Sequence, residues 1–393
     1  MTDYRYLIVG GGMTSAAALE GLREVDAQGE IGVITAEPHK PYNRPPLSKS
    51  LWTGKKTEDQ IWRPEPEGVE FHLGRSAREL DLAKKQVVDD QGQAYRFEKL
   101  LLATGGEPRR LPFGGDQVIY FRTLDSYRRL QQLAAGQGRF GILGGGFIGS
   151  EIAAALAMRG KQVSMVFPDS GIGHAVFPHD LSGFLKDFFR EKGVEVVAGE
   201  RLAGLSGSGT SLTLQTDKGR SLEVAGVVAG LGIRPNTQLA EQARLAVEDG
   251  ILVNDRLQSS HPDVFAAGDV ARYPDALLGV PRRVEHEDAA NTQGKIAGRA
   301  MAGADDRYQS SPYFYSDLFE LGYEAVGELD ARLETVPDWQ EPFRKGVVYY
   351  LRDGRVRGVL LWDVWGQVEA ARELIGAGKQ LKPKDLKGRI GAA

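Results

Sequence analysis

Short apolar runs alternate with amphipathic stretches in the first third of the chain. Residues 4–9 form an apolar run typical of a buried strand, and residues 14–25 carry their apolar side chains with a helical period. A second β-branched run covers 32–36, and a buried strand is predicted over 98–104. Strands that alternate with helices in this way predict an α/β fold with a parallel sheet.

The same pattern restarts about 130 residues further along the chain. A strand, a helix and a second strand are predicted over 139–143, 147–159 and 162–167. Asp180 is expected to cap the next helix, which ends near Gly193. The two strand–helix–strand units therefore predict two Rossmann-type domains.

Strand patterns are frequent in the second half of the chain. Residues 200–225 predict a strand meander with a hairpin turn at 207–209, and 227–229 predicts a buried strand. From about residue 308 the aromatic content rises, and a hairpin over 346–362 is followed by a helix at about 367–375. This last part predicts a smaller α+β domain.

A glycine-rich turn follows the first strand of each unit. The first turn contains Gly10 and Gly12, with Ser15 where a third small residue, Gly or Ala, is usual. Such glycines let the backbone approach a pyrophosphate at the N-terminus of a helix. Glu37, at the end of the second strand, is placed to accept hydrogen bonds from ribose hydroxyls. The alternative is a tight turn that binds no ligand.

The second turn carries all three glycines, Gly144, Gly146 and Gly149. Asp169 follows the next strand, and an acidic residue there suits a free ribose 2′-hydroxyl and repels a 2′-phosphate. No Arg or Lys lies between Lys161 and Lys186. The second nucleotide is therefore predicted to be NADH rather than NADPH.

Three further segments predict that the first nucleotide is FAD. A stiff Pro-rich loop supplies Arg44 and Lys49. Thr104 and Gly105 close a strand, and Asp269 ends another with a carboxylate that can hold the ribityl hydroxyls of a flavin.

Composition excludes several classes of function. The 393 residues contain no cysteine, so disulfides, thiolate metal sites and a cysteine nucleophile are excluded. The net charge of −4 gives no general attraction to nucleic acid or lipid, and no apolar run approaches the ~20 residues of a membrane span. We expect no metal, nucleic-acid or membrane partner and, with a strand starting by Tyr4, a cytoplasmic protein. The cations between Lys379 and Arg389 are expected to form a solvated end.

The chain resembles the two-dinucleotide flavoprotein reductases, the superfamily of glutathione reductase. Residues 41–49 and 144–151 resemble the ferredoxin-reductase branch and apoptosis-inducing factor, while 282–289 and 315–318 are closer to apoptosis-inducing factor. The Cys-x₄-Cys dithiol of disulfide reductases is absent, as in that branch. The likeness is specific over about 4–330.

The resemblance implies an NADH domain inserted into an FAD domain, followed by a C-terminal α+β domain. The implied bounds are 1–112 and 246–307 for FAD, 113–245 for NADH and 308–393 for the C-terminal domain.

The resemblance also implies roles for individual residues. Lys49 would lie near the flavin N5 and pair with Glu151, which faces the nicotinamide, while Phe147 would shield the flavin. Glu285 and His286 would border the rings, and Tyr315 stands where ferredoxin-reductase relatives have Trp. The alternatives are a purely structural Lys49–Glu151 ion pair, a packed His286 and a Phe147 that only fills the core.

We therefore predict an FAD-dependent NADH oxidoreductase. Its acceptor would be a small iron–sulfur protein, a quinone or O₂, although His286 and Tyr315 replace the usual Trp residues of ferredoxin reductases. One alternative is an NADH-sensing flavoprotein like apoptosis-inducing factor, with slow turnover and redox-dependent dimerisation or partner binding. The other is a monodehydroascorbate-type reductase. A homodimer is a candidate state.

Overall fold

The structure is a computed structural model that describes residues 2–391. The described part contains eight α-helices: α1 (Met13–Val25), α2 (Ser50–Thr53), α3 (Leu124–Ala135), α4 (Phe147–Met158), α5 (His179–Glu191), α6 (Gln238–Gln242), α7 (Glu287–Met301) and α8 (Val368–Gly376).

The strands of the first two-thirds of the described chain are β1 (Thr2–Val9), β2 (Ile31–Thr35), β3 (Val69–Leu73), β4 (Ala77–Asp81), β5 (Gln86–Asp89), β6 (Ala94–Leu102), β7 (Gly106–Pro108), β8 (Val118–Tyr120), β9 (Arg139–Leu143), β10 (Gln162–Phe167), β11 (Val194–Ala198), β12 (Leu202–Ser208), β13 (Ser211–Thr216), β14 (Ser221–Val224), β15 (Gly226–Ala229) and β16 (Ile233–Pro235). The later strands are β17 (Val247–Glu248), β18 (Gly250–Leu252), β19 (Val264–Ala266), β20 (Ala271–Asp275), β21 (Val280–Arg282), β22 (Tyr313–Leu318), β23 (Leu321–Gly327), β24 (Glu334–Glu341), β25 (Lys345–Arg352) and β26 (Arg355–Trp362).

The chain divides into two compact units, each built from separate stretches of sequence. Unit 1 comprises Met1–Asn43, Glu58–Glu107 and Arg234–Pro312, and unit 2 comprises Arg44–Thr57, Pro108–Ile233 and Tyr313–Ala393. The segment 44–57, which carries Lys49, thus belongs to unit 2, whereas the sequence assigned it to the FAD domain 1–112. The predicted bounds of the three functional domains remain a prediction.

Unit 1 is built on a seven-stranded sheet of order β3-β2-β1-β6-β5-β4, in which β19 also pairs with β6. β1 pairs in parallel with β2 and β6, and β6 pairs in parallel with β19. The apolar runs that predicted these strands are buried, since Leu7, Ile8 and Leu101 are 0% exposed. The parallel sheet predicted from the first third of the chain is therefore confirmed.

Helices α1 and α7 of unit 1 pack with their backbones in close approach. A Cβ added at Gly298 would lie 2.1 Å from the carbonyl oxygen of Ala18, and one at Gly21 would lie 2.1 Å from that of Lys295. Only glycine fits at these two positions, because any side chain would separate the helices. The packing joins the first and last stretches of unit 1.

Unit 2 repeats the arrangement with a parallel sheet of order β11-β10-β9-β15-β8. A three-stranded antiparallel sheet, β12-β13-β14, forms the predicted meander, and a five-stranded antiparallel sheet of order β22-β23-β26-β25-β24 forms the C-terminal part. The hairpin over 346–362 and the helix near 367–375 are confirmed by β25, β26 and α8. Two Rossmann-type sheets and a C-terminal α+β part agree with the predicted fold class.

Two local predictions are corrected by the structure. α5 begins at His179 with Pro178 in the capping position, so Asp180 lies inside the first turn, where it accepts a hydrogen bond from its neighbour's backbone N–H. The hairpin turn of the meander falls at residues 209–210, because β12 extends to Ser208.

The cations of the basic C-terminal segment are exposed, as predicted, but the segment that carries them is anchored by two buried side chains. Leu386 and Ile390 are 0% and 4% exposed. The backbone N–H of Ile390 donates to the Tyr349 hydroxyl, and that of Gly388 donates to Asp338. These two apolar side chains hold the segment against the rest of unit 2, while its cations remain exposed.

Candidate functional site

The first glycine turn joins β1 to α1 in unit 1. Gly10 has a φ of +119°, and a Cβ there would lie 2.1 Å from the carbonyl oxygen of Ala103. Gly12 is the N-cap residue of α1; no side chain caps this helix, and its first turn holds no acidic residue. The backbone N–H groups of this thirteen-residue helix are therefore placed to bind an anion such as a pyrophosphate.

Ser15 and Glu37 flank this turn and are both engaged. Ser15 is 0% exposed, and its hydroxyl donates to the Gly10 carbonyl at 2.6 Å, which closes the turn internally. Glu37 lies after β2 and accepts a hydrogen bond from the Tyr42 hydroxyl at 2.5 Å. Tyr42, for which the sequence pattern gave no signal, thus orients the carboxylate predicted to hold a ribose.

Thr104 and Gly105 form a hydrogen-bonded clasp with Asn236 in unit 1. The Thr104 hydroxyl donates to the Asn236 carbonyl at 2.7 Å, and the Asn236 side-chain amide donates back to the Thr104 carbonyl at 2.9 Å. The Gly105 carbonyl accepts from the Asn236 backbone N–H at 2.9 Å. Thr104 thus shapes the connection between β6 and β7, and Asn236, 132 positions away, gave no signal in the sequence.

Asp269 lies in a short 3₁₀ turn of unit 1, Gly268–Val270. Gly268 has a φ of +76°, and its N–H donates at 2.9 Å to the side chain of Gln293, which is 0% exposed. Arg283 donates to the Asp269 carbonyl at 3.1 Å. Gln293 and Arg283, both missed from the sequence, therefore fix the turn that presents the Asp269 carboxylate.

His286 and Glu285 precede α7 in unit 1. Glu285 is exposed and pairs with Arg283 at 3.0 Å. Desolvation, assisted by the charge of Arg282, lowers the pKa of His286 to about 4, although Asp269 acts in the opposite direction. The residue as a whole is partly exposed, but the surrounding protein desolvates the ring and disfavours its charged form. His286 is therefore a neutral imidazole at neutral pH.

The second glycine turn joins β9 to α4 in unit 2. Gly144 has a φ of +106°, and a Cβ there would lie 2.4 Å from the Gly230 carbonyl oxygen. A Cβ at Gly149 would lie 2.1 Å from the Gly144 carbonyl oxygen, whereas Gly146 faces open space. No side chain caps α4, and its first turn holds no acidic residue. The second turn thus leaves room for a pyrophosphate in the same way as the first.

Phe147 and Asp169 lie near this turn in unit 2. Phe147 is 36% exposed and contacts the ring of Phe314, with centroids 5.1 Å apart. At this exposure the ring lies at the surface of unit 2 and not in its core, and its role as a shield of the flavin stays a prediction. Asp169 is exposed after β10, and its backbone carbonyl accepts from Gly199 at 3.0 Å, which leaves the carboxylate facing solvent.

Lys49 and Glu151 form a direct ion pair within unit 2. The Lys49 Nζ lies 2.7 Å from Glu151 Oε1, and the two side chains are 15% and 3% exposed. The Lys49 ammonium also lies 5.4 Å from the centre of the Tyr315 ring. The structure therefore brings together two residues predicted to be catalytic, Lys49 and Glu151, and one predicted to bind the cofactor, Tyr315.

Two serines missed by the sequence analysis complete the surroundings of Glu151. The Ser48 hydroxyl donates to Glu151 Oε2 at 2.5 Å, and the Ser316 hydroxyl donates to Oε1 at 2.6 Å. Because Ser48 is adjacent to Lys49 in the sequence, its proximity to Glu151 could have been inferred from the predicted Lys49–Glu151 pair. Arg44, from the same loop, donates to the Arg122 carbonyl at 2.9 Å in unit 2.

Residues 4–294 match a sequence model of the family described as pyridine nucleotide-disulphide oxidoreductase. The chain belongs to this family. Residues 337–377 also match the family described as apoptosis-inducing factor, mitochondrion-associated, C-term.

Individual relatives of this pyridine nucleotide oxidoreductase cover nearly the whole chain. Apoptosis-inducing factor 1 of Dictyostelium discoideum is 33% identical over 95% of this chain and 78% of its own length. Monodehydroascorbate reductase 3 of Arabidopsis thaliana is 33% identical over 91% of this chain and 89% of its own. The structure of a covalent putidaredoxin reductase–putidaredoxin complex is similar with a TM-score of 0.90 and 27% identity, covering 98% of this chain and 95% of that one.

Membership of the family explains the paired glycine turns. The chain is an FAD-containing oxidoreductase that uses a pyridine nucleotide, and both turns fit a dinucleotide pyrophosphate. The family name refers to a disulfide, but this chain has no cysteine and cannot carry one. Among residues 2–391, no cluster of His, Asp or Glu is arranged to hold a metal ion, and no helix is long and apolar enough to cross a membrane.

Proposed function

We propose that the chain passes electrons from NADH through FAD to an acceptor that is not a protein dithiol. The observation that carries the proposal is the buried Lys49–Glu151 pair, 2.7 Å long, in the unit that holds the second glycine turn. A cation shielded from water interacts more strongly with developing negative charge than an exposed one does. The absence of cysteine removes the dithiol relay from the candidates.

The residues around the first turn are proposed to hold FAD. The α1 N-terminus with Gly10 and Gly12 would bind the pyrophosphate, Glu37 the adenosine ribose and Asp269 the ribityl chain. Bound FAD would supply two-electron chemistry toward the nicotinamide and one-electron chemistry toward an acceptor. Thr104, Gly105 and Ser15 would shape the backbone at this site through the hydrogen bonds described above.

The residues around the second turn are proposed to hold NADH. Gly144, Gly146 and Gly149 admit the pyrophosphate, and the exposed Asp169 carboxylate would accept hydrogen bonds from the ribose 2′- and 3′-hydroxyls. A 2′-phosphate would meet that carboxylate as a like charge, which supports NADH over NADPH.

Hydride transfer requires the two rings to be held in contact with their reacting atoms aligned. Lys49 would place a positive charge where negative charge develops on the reduced ring, and Glu151 would orient Lys49 and the nicotinamide carboxamide. The exposed Phe147 would exclude water until the nicotinamide binds. His286, Glu285 and Arg44 would border the cofactor, and the neutral His286 could offer one N–H donor without a charge.

The acceptor is proposed to be a small iron–sulfur protein, a quinone or O₂. The structural similarity to putidaredoxin reductase in complex with putidaredoxin supports a protein acceptor. Rapid mixing with NADH, followed by reoxidation against a ferredoxin, a soluble quinone, O₂ and the monodehydroascorbate radical, tests the proposal. Reoxidation by one acceptor at least about tenfold faster than by the others identifies it, and flavin that NADH does not reduce would exclude the proposed function.

A redox-sensing function like that of apoptosis-inducing factor is the second candidate. The match of residues 337–377 to that protein's C-terminal family favours it. The sensor predicts a long-lived complex of reduced flavin with NAD⁺ and a change of oligomeric state, for example to a homodimer, on adding NADH. Long-wavelength absorbance and size-exclusion chromatography with light scattering distinguish it from a rapidly reoxidised enzyme.

A monodehydroascorbate-type reductase is the third candidate, and the 33% identity to an Arabidopsis thaliana monodehydroascorbate reductase supports it. The same acceptor panel decides it, through the rate with the monodehydroascorbate radical. A cytoplasmic location is also part of the proposal, and cell fractionation tests it.

A further inference from the structure

The Glu151 carboxylate is bound by three donors from two distant parts of the chain. Ser48 and Lys49 precede α2, whereas Ser316 lies on β22, 165 positions from Glu151. Ser48 occupies Oε2, while Lys49 and Ser316 share Oε1. With both oxygens engaged and the side chain 3% exposed, the carboxylate is held in one orientation.

Ser316 is held rigidly by the strand that carries it. β22 pairs with β23 so that Ser316 lies opposite Tyr323, and both residues are 1% exposed. The Tyr323 ring stacks on Trp362 with centroids 5.5 Å apart, and Phe177 packs against both rings. A hydroxyl in this aromatic setting would be costly to bury without a partner, and Glu151 provides that partner.

The Glu151 charge also acts on Tyr323. Desolvation first, and the nearby Glu151 carboxylate second, raise the pKa of Tyr323 well above its usual range. Tyr323 is therefore a neutral phenol, and Lys49 is the cation that balances Glu151.

We infer that Ser316 is a positioning residue that fixes the Glu151 carboxylate and, through it, the Lys49 ammonium. The inference rests on the proposed function, in which Lys49 acts on the flavin. Ser316 would touch neither substrate nor cofactor. Without its hydroxyl, Oε1 keeps only the flexible Lys49 side chain, and the carboxylate can rotate and take the ammonium with it.

Ser316→Ala is expected to slow flavin reduction at saturating NADH by about tenfold, because a hydrogen bond to a charged group is typically worth about one power of ten or more. The NADH dissociation constant should rise less than it does in Glu151→Ala, since the Glu151 carboxylate that orients the nicotinamide carboxamide is still present in Ser316→Ala. Ser316→Thr, which restores the hydroxyl, should recover most of the rate.

Ser164→Ala is the matched control. Ser164 is likewise buried, with 0% exposed, lies in the same unit, and donates to a carboxylate, Glu195 Oε2, at 2.7 Å. It does not contact Glu151, so its loss should leave the reduction rate unchanged even if it lowers stability.

Two further measurements separate a positioning role from a merely structural one. The midpoint potential of the bound flavin should become more negative in Ser316→Ala and in Lys49→Met, but not in Ser164→Ala, because a displaced cation stabilises the reduced flavin less. In a Glu151→Gln background, Ser316→Ala should have little additional effect, as expected for residues that act as a unit.

The reduction rate and the midpoint potential of Ser316→Ala together decide whether Ser316 is a positioning residue. A rate and potential in Ser316→Ala equal to those of the unmodified protein overturn the inference, as does full additivity with Glu151→Gln. If the alanine variant does not bind FAD, Ser316→Cys, which keeps the volume and offers only a weak donor, takes its place. If NADH does not reduce the unmodified protein, the proposed function fails, and the midpoint potential alone decides the role of Ser316.

Discussion

Replacing Lys49 by Met tests whether the buried ion pair is catalytic or structural. Methionine retains most of the length and packing of lysine and removes only the charge. The loss of the ammonium leaves Glu151 with hydrogen bonds from Ser48 and Ser316 at 2.5 and 2.6 Å, so the carboxylate is not left without donors. Removing one partner of a fully buried pair typically costs about 3–5 kcal/mol. With two donors remaining, we expect a loss of about 1–3 kcal/mol in the free energy of unfolding.

The expected effect on hydride transfer is larger than the effect on folding. Loss of one preorganised electrostatic contact typically costs about 3 kcal/mol of transition-state stabilisation, which corresponds to roughly 10²-fold in rate. Stopped-flow reduction of the flavin at saturating NADH measures this rate, and flavin absorbance in the same sample confirms that FAD is bound. Lys192→Met is a matched control, because Lys192 also lies 2.7 Å from a carboxylate, Glu320, but these side chains are 35% and 53% exposed. Solvent-exposed ion pairs contribute little to stability, so Lys192→Met should change neither the free energy of unfolding nor the reduction rate appreciably.

Glu151→Ala should act differently from the lysine variant. It should mainly weaken productive NADH binding, and the double variant should be little slower than the slower single variant if the pair acts as a unit. An unchanged reduction rate in Lys49→Met with FAD bound, or small effects that are fully additive, would show that the pair is structural only.

The remaining predictions concern the cofactors and His286. The purified protein should be yellow and release non-covalent FAD on heating; a colourless protein or released FMN would contradict the role of the first glycine turn. NADH should reduce the flavin at least about tenfold more efficiently than NADPH, a difference of ~1.4 kcal/mol. Asp169→Ala combined with Ser170→Arg should narrow or reverse that ratio. Equal efficiencies in the unmodified protein would refute the assignment of NADH as the preferred nucleotide. Between about pH 6.5 and 4 the unfolded chain protonates His286 while the folded chain does not, so this residue should lower the free energy of unfolding as the pH falls through that window. His286→Gln should reduce this loss of stability, as measured by denaturant unfolding at pH 7.5, 6 and 5. An identical pH dependence in both proteins would argue against the lowered pKa of the His286 imidazole.

Local patterns predicted most of the fold, because the strand–helix–strand segment at the centre of each Rossmann-type sheet is contiguous in sequence. The strand before Gly10 and the helix after it are read from neighbouring residues, and so are those around Gly144. The predicted start of α5 was wrong because Asp180 is a good capping residue when the local sequence is considered alone. In the structure Pro178, whose φ is fixed by its ring, takes the capping position, and the helix begins at His179. In the basic C-terminal segment, the spacing of Leu386 and Ile390 was an available signal that the run of cations obscured.

The site was less predictable, because its contacts join residues far apart in sequence. Lys49 and Glu151 are 102 positions apart, and only the family resemblance linked them before the structure did. Ser316 and Asn236 contact their partners across 165 and 132 positions. No periodicity or spacing encodes such pairings, since the strand order and register that create them are properties of the assembled sheets.

The packing of α1 against α7 has a consequence for how the protein is synthesised. The backbone surface of α1 at Gly21 is complementary to a helix that leaves the ribosome roughly 260 residues later, and at about 5–20 residues per second this interval lasts roughly 13–50 s. During that time the apolar side of the first helix has no native neighbour from α7. The nascent chain is thus expected to depend on chaperones or on temporary burial against its own first strands until α7 emerges. A chain truncated before Glu287 should accordingly aggregate, however complete its first glycine turn.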